Sequence, residues 1–125
     1  MREDQGAVIE REVSRNWRSF FWAAMAFNVI IGTVGMLSPA ADVDARIIGL
    51  LVLGFGFVYF FVARDPLRFA PVLWAGILGK VGVVALLAPQ AFGPDGDPIV
   101  AGALGGDGLF AIGFLAFLLT IADEN

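Results

Sequence analysis

Four apolar stretches, roughly residues 17–38, 46–63, 69–88 and 99–121, dominate the chain. Each is about 18–23 residues long, enough to cross a hydrocarbon core of about 30 Å at 1.5 Å per residue. Breakers separate them for mechanical reasons. Ser38-Pro39 disfavours helix at Ser38, Asp65-Pro66 supplies an N-cap and a first-turn proline, and Pro89, Pro94 and Pro98 keep the third loop out of helix. Pro71 falls in the first turn of its helix, where it is tolerated. The stretches show none of the apolar/polar alternation of barrel strands, so helices are the only spanning form that satisfies its own backbone. The expected fold is all-α: an integral membrane bundle of four transmembrane helices, residues 17–125, after a cytoplasmic or interfacial segment, residues 1–16.

Composition agrees: 58% of residues are hydrophobic and 16% charged, against about 45–50% and about 25% in soluble domains. The chain contains no cysteine and no histidine. That excludes disulfides, thiolate or imidazole nucleophiles, zinc and iron–sulfur sites and His-ligated haem. No cofactor or metal is expected, and a non-enzymatic role is favoured.

Of the eight basic residues, Arg2, Arg11, Arg15, Arg18, Arg64 and Arg68 fall on one side, Arg46 on the other, and Lys80 inside a span. By the positive-inside rule both termini are cytoplasmic. The outer loops carry Asp42, Asp44, Asp95 and Asp97 against that single arginine, an asymmetry that opposes dual insertion. No basic patch points to nucleic acid; Arg11, Arg15, Arg18, Arg64 and Arg68 are placed to meet lipid phosphates. Residues 7–18 read as a short amphipathic interfacial helix, with Ile9, Val13, Trp17 and Phe20 on one face and Arg11, Arg15 and Arg18 on another. Trp17 and Trp22 suit an aromatic belt. Ser38 and Ala40 imitate a signal-peptidase site, but the apolar run before them exceeds the 7–15 residues of a signal core, so the first span is retained.

Few strongly polar side chains interrupt the spans: Asn28, Tyr59, Lys80 and Asp107. An ionisable group at mid-membrane costs about 2.5–3.5 kcal/mol on insertion scales and needs a partner. Lys80 and Asp107 each lie about eight residues, roughly 12 Å, from the outer ends of consecutive spans. They are expected to pair, with Asn28 in the same layer. Small residues at Ala24, Asn28 and Gly32, and at Ala103, Asp107 and Ala111, form inward-facing stripes; Ala75 and Gly79 lie beside Lys80. Gly102 and Gly106 make a GxxxG that serves either dimerisation or packing within the bundle. Leu, Ile, Val and most of the twelve Phe are left to face lipid.

Other patterns fail on inspection. Gly76 to Val81 ends in Gly-Lys, but a phosphate loop needs glycine where Trp74 stands and Ser or Thr where Val81 stands. The Pro94-Asp95-Gly96-Asp97 turn lacks the later ligands of a calcium loop, and Asp97 suits the N-cap of the fourth helix.

The Ala-Arg-Asp-Pro turn at 63–66, Leu-Gly-Lys at 78–80 and Gly-Asp-Gly-Leu-Phe at 106–110 resemble an uncharacterised group of small bacterial four-helix membrane proteins. The architecture is also similar to that of the DoxX-like proteins. The resemblance implies a bacterial inner membrane and carries no activity with it. Small multidrug transporters use a membrane-embedded Glu in the first helix, which is missing here, and fluoride channels are dual-topology dimers, which the arginine bias opposes.

The leading expectation is an accessory or assembly subunit, working in a larger membrane complex or as a homo-oligomer, with a structural Asn28, Lys80 and Asp107 layer. Two alternatives share the same residues. One is a small transporter or channel with Asp107 and Lys80 as a protonatable pair; the other is a protein or enzyme that binds a lipid, quinone or isoprenoid.

Overall fold

A computed structural model describes residues 13–123, and within them every regular element is helical. Helix α1 spans Arg15–Leu37, α2 Val43–Arg64, α3 Pro66–Phe69, α4 Leu73–Ala91 and α5 Pro98–Asp123; a 3₁₀ turn, Ala70–Val72, joins α3 to α4. The segment Pro66–Ala91 acts as one unit, giving four helices long and apolar enough to cross a bilayer. Their outer surfaces carry large apolar side chains: Ile30, Leu37, Val43, Leu51, Leu78, Leu86 and Ile112 are between 59% and 82% exposed. So continuous an apolar surface suits lipid rather than water.

Caps set the boundaries. Ser14 accepts from the Trp17 N–H at the start of α1 and Asp42 from the Ala45 N–H, at 2.8 Å, at the start of α2. Asp65 closes α2 and opens α3, its carboxylate accepting from the Arg68 N–H while Pro66 takes the first helical position. Asp97 accepts from the Ile99 N–H at 2.9 Å and its carbonyl from the Ala101 N–H, so it caps α5 as predicted.

The first half of the interfacial helix expected over residues 7–18 lies outside the described residues. Ser14 is extended, and Arg15, Trp17 and Arg18 belong to the first turn of α1. A second difference lies at Pro89, which sits inside α4 rather than in the loop. Proline at this point, two residues from the helix end, forfeits only the bond to the Ala85 carbonyl, so α4 runs on to Ala91.

The bundle is two hairpins. In the first, α1 and α2 cross with backbones touching: a Cβ on Gly49 would lie 2.5 Å from the Met36 nitrogen, and one on Gly32 would run into Leu53 and Gly49. Arg46 ties one end by donating to the Met36 carbonyl at 2.9 Å, and Arg18 the other by donating to the Arg64 carbonyl. The second hairpin pairs α4 with α5. The hairpins meet where phenylalanines of α1 seat on glycines of α5: Phe27 against Gly106, and Phe20 against Gly113.

The core occupies the half of the bundle near the Asp65 turn. Phe21, Tyr59, Leu73, Phe114 and Phe117 are fully buried there, with Trp17 stacked on Phe21 and edge-on to Phe117. The expectation that most phenylalanines face outward is therefore corrected, since among the twelve only Phe57, Phe61 and Phe92 are exposed. Rings fill the space that glycines and alanines leave between helices, which aliphatic chains fill less completely.

Candidate functional site

Directly beyond this aromatic core, each of the four long helices contributes to one polar layer. The Lys80 Nζ on α4 donates to Asp107 Oδ1 on α5 at 2.7 Å and to Asn28 Oδ1 on α1 at 2.9 Å. The Asn28 amide nitrogen then donates to the Val52 carbonyl of α2 at 3.0 Å. Lys80 is 5% exposed, and the Asp107 side chain 20%. Rings complete the enclosure of the ammonium: Phe27, Tyr59 and Phe110 have centroids 5.1, 5.5 and 5.6 Å from Nζ. Such contacts favour a desolvated cation by about 2 kcal/mol or more. Among the described residues no buried side-chain nitrogen or oxygen is left without a partner.

Local sequence explains the assembly. Ala24 and Gly32, one turn either side of Asn28, are buried and hold α1 tight against α2, which puts the amide within reach of Val52. Gly76, one turn before Lys80, gives the Tyr59 phenol its seat: a Cβ there would lie 2.6 Å from the hydroxyl oxygen.

On one side the layer faces a cleft. Helices α2 and α4 stand apart above Tyr59, leaving a cavity of about 260 Å³. Ile48, Leu51, Phe55 and Val83 form its apolar walls, Gly76 and Gly79 a flat strip along α4, and Asn28, Tyr59, Lys80 and Asp107 its polar back. Ile48 (50% exposed), Leu51 (60% exposed) and Gly79 place the rim on the outer surface of the bundle, so the cleft opens sideways. A second cavity of about 300 Å³ lies between the end of α4 and the 92–97 loop, beside Gln90, Asp95 and Asp97. There Asp97 is already committed to its cap, and among the described residues no group of three or more acidic side chains is placed to hold a metal ion.

All four polar residues singled out from sequence within the apolar stretches thus converge. The arginines Arg15, Arg18, Arg64 and Arg68 gather at the end of the bundle bearing the Asp65 turn; Arg64 lies over Phe60 and Arg68 over Phe69, and Arg11 lies outside the described residues. The glycines divide. Gly32 and Gly106 are packed, whereas Gly79 and Gly102 have open space where a Cβ would stand, and Ala75 is exposed. Gly102 therefore takes no part in packing within the bundle, and Gly79 serves the cleft wall instead. Phe27, Phe110 and Gly76 were missed. Their signal was spacing, since Phe27 adjoins Asn28, Phe110 stands three residues after Asp107, and Gly76 stands four before Lys80.

Comparison of the chain with family models, with curated proteins and with solved structures finds no match.

Proposed function

We infer that the chain is a multi-pass protein of a bacterial inner membrane, with both termini cytoplasmic, that holds a lipid-like molecule in its lateral cleft. One observation carries this reading: the apolar cavity between α2 and α4 opens on the apolar outer surface of the bundle and ends on Asn28, Tyr59, Lys80 and Asp107. Apolar walls with a few convergent polar groups are the usual build of a small-molecule site. A sideways entrance admits a ligand already dissolved in the bilayer. Native mass spectrometry of the protein extracted in mild detergent from its own host tests it. The expected result is a bound amphiphile that disappears in Gly79→Leu, a variant whose new side chain enters open space at the rim. A wild-type protein free of any such species would count against ligand binding.

An accessory role in a larger complex or homo-oligomer is the second reading, favoured by Asn28, Lys80 and Asp107 bonding one another without a ligand. Foreign subunits in the same mass spectrum, with no amphiphile, would support it.

A further inference from the structure

Resting on the reading of the cleft as a lipid site, we propose that its ligand is a neutral membrane alcohol, a long apolar chain ending in a hydroxyl group. The charges at the back of the cleft set the head group. Lys80 and Asp107 lie 2.7 Å apart and sum to zero, so no net charge recruits an ion. Two of the three ammonium donors are taken by Asp107 and Asn28, and the rest of the ammonium sits among the rings of Phe27, Tyr59 and Phe110. Both ends of the Asn28 amide are engaged as well. Besides one neutral N–H of the Asn28 amide, what remains for a ligand is the second oxygen of Asp107, an acceptor, and the hydroxyl of Tyr59, which both donates and accepts.

Asp107 is the more accessible member of the ion pair, its side chain 20% exposed against 5% for Lys80. A phosphate or carboxylate head would therefore meet a carboxylate first, in a medium where like charges repel strongly. An amine head would meet Asp107 with the Lys80 ammonium directly behind it. A hydroxyl avoids both conflicts: it donates to the Asp107 carboxylate, a charge-assisted bond, and accepts from the Tyr59 hydroxyl. The cavity of about 260 Å³ falls just below the range of about 300–1,000 Å³ typical of drug-sized ligands. It takes the head and the first part of a chain, and the remainder leaves over the rim at Leu51 and Gly79 into the bilayer.

Four compounds with one tail and different heads test the assignment: farnesol, farnesyl methyl ether, farnesylamine and farnesyl phosphate. Each is titrated into phosphatidylcholine nanodiscs holding the full chain, and occupancy is read by native mass spectrometry. Farnesol is expected to bind once per chain, and each of the other three about tenfold more weakly or worse, because each loses the donated hydrogen bond or adds a charge. Tyr59→Phe should weaken farnesol and its methyl ether alike, several-fold (about the effect of one hydrogen bond), because both oxygens accept from the Tyr59 hydroxyl. Gly79→Leu should abolish binding at an unaltered melting temperature. Binding of the phosphate or the amine as tight as that of the alcohol overturns the proposal, as does farnesol binding that survives Gly79→Leu. Equal binding of all four heads, lost in Gly79→Leu, overturns the alcohol while leaving a lipid site. Failure of farnesol to bind also overturns it; an amphiphile that nevertheless co-purifies from host membranes would keep the lipid-site reading alive by itself.

Discussion

At the level of single residues, the stability of the polar layer depends on Lys80 and Asp107 being removed together or not at all. Lys80→Met strands the Asp107 carboxylate in an apolar interior and frees the Asn28 carbonyl oxygen. Breaking a buried pair in this way costs about 3–5 kcal/mol, whereas replacing both partners by apolar residues is often neutral. Thermal unfolding in detergent should therefore show Lys80→Met strongly destabilised and Lys80→Met with Asp107→Leu recovering most of the loss. A double variant as unstable as the single one would mean that the pair does more than neutralise itself. Asn28→Ala belongs to a milder class: interhelical hydrogen bonds in membranes average about 0.6 kcal/mol, with about 1.7 at most, and two are lost. Its expected cost is about 1–2 kcal/mol in the same assay. The pair and its amide were legible in the sequence because depth is a count of residues along a straight helix, and expensive groups in lipid must find one another. The enclosing rings of Phe27 and Phe110 were marked only by their nearness in sequence to Asn28 and Asp107, because an apolar side chain in an apolar helix carries no mark of its own of the direction it points.

The same distinction governs whole helices. Period alone located the small-residue stripes, but a stripe is silent about which of its members another helix will touch. Gly49 and Gly32 lie where α1 and α2 cross backbone to backbone, while Gly102 faces open space. Gly49→Ala must push the two helices apart, forfeiting the close contacts along the crossing and lengthening the Asn28 to Val52 hydrogen bond. A loss of about 1–3 kcal/mol, the usual cost of overpacking, is expected. Gly102→Ala meets nothing and should lie within about 1 kcal/mol of the parent, the size of the Gly-to-Ala difference in helix propensity. Parallel melting curves of the two variants decide the matter; equal losses would place Gly102 in a contact between copies of the chain. The continuation of α4 through Pro89 was illegible for a related reason. A proline signals the loss of one hydrogen bond and a local clash, and two residues from a helix end that loss is too small to fix the boundary.

For the molecule as a whole, four apolar helices were plain in the sequence because length and hydropathy suffice to find them, whereas the lateral cleft depends on how two hairpins lean together, which no single stretch encodes. Charge carries the orientation proposed for the bundle. Arg15, Arg18, Arg64 and Arg68 gather at one end of the helices, while Asp42, Asp44, Asp95 and Asp97 lie at the other with Arg46. Basic residues close to a span resist translocation, so the proposed orientation keeps the arginine-rich end in the cytoplasm and carries Asp42, Asp44, Asp95 and Asp97 across the membrane. Because the chain has no cysteine, a single introduced thiol reports its own side. Asp44→Cys and Asp95→Cys, both at exposed positions, should react with a membrane-impermeant maleimide added to intact spheroplasts. Arg68→Cys, exposed beside the Asp65 turn, should react only after the membrane is opened. The reverse pattern would invert the bundle, and labelling at both ends in intact cells would mean two orientations. In either case the proposed orientation fails, while the lateral entrance of the cleft, set between α2 and α4 rather than at either end of the bundle, is unaffected.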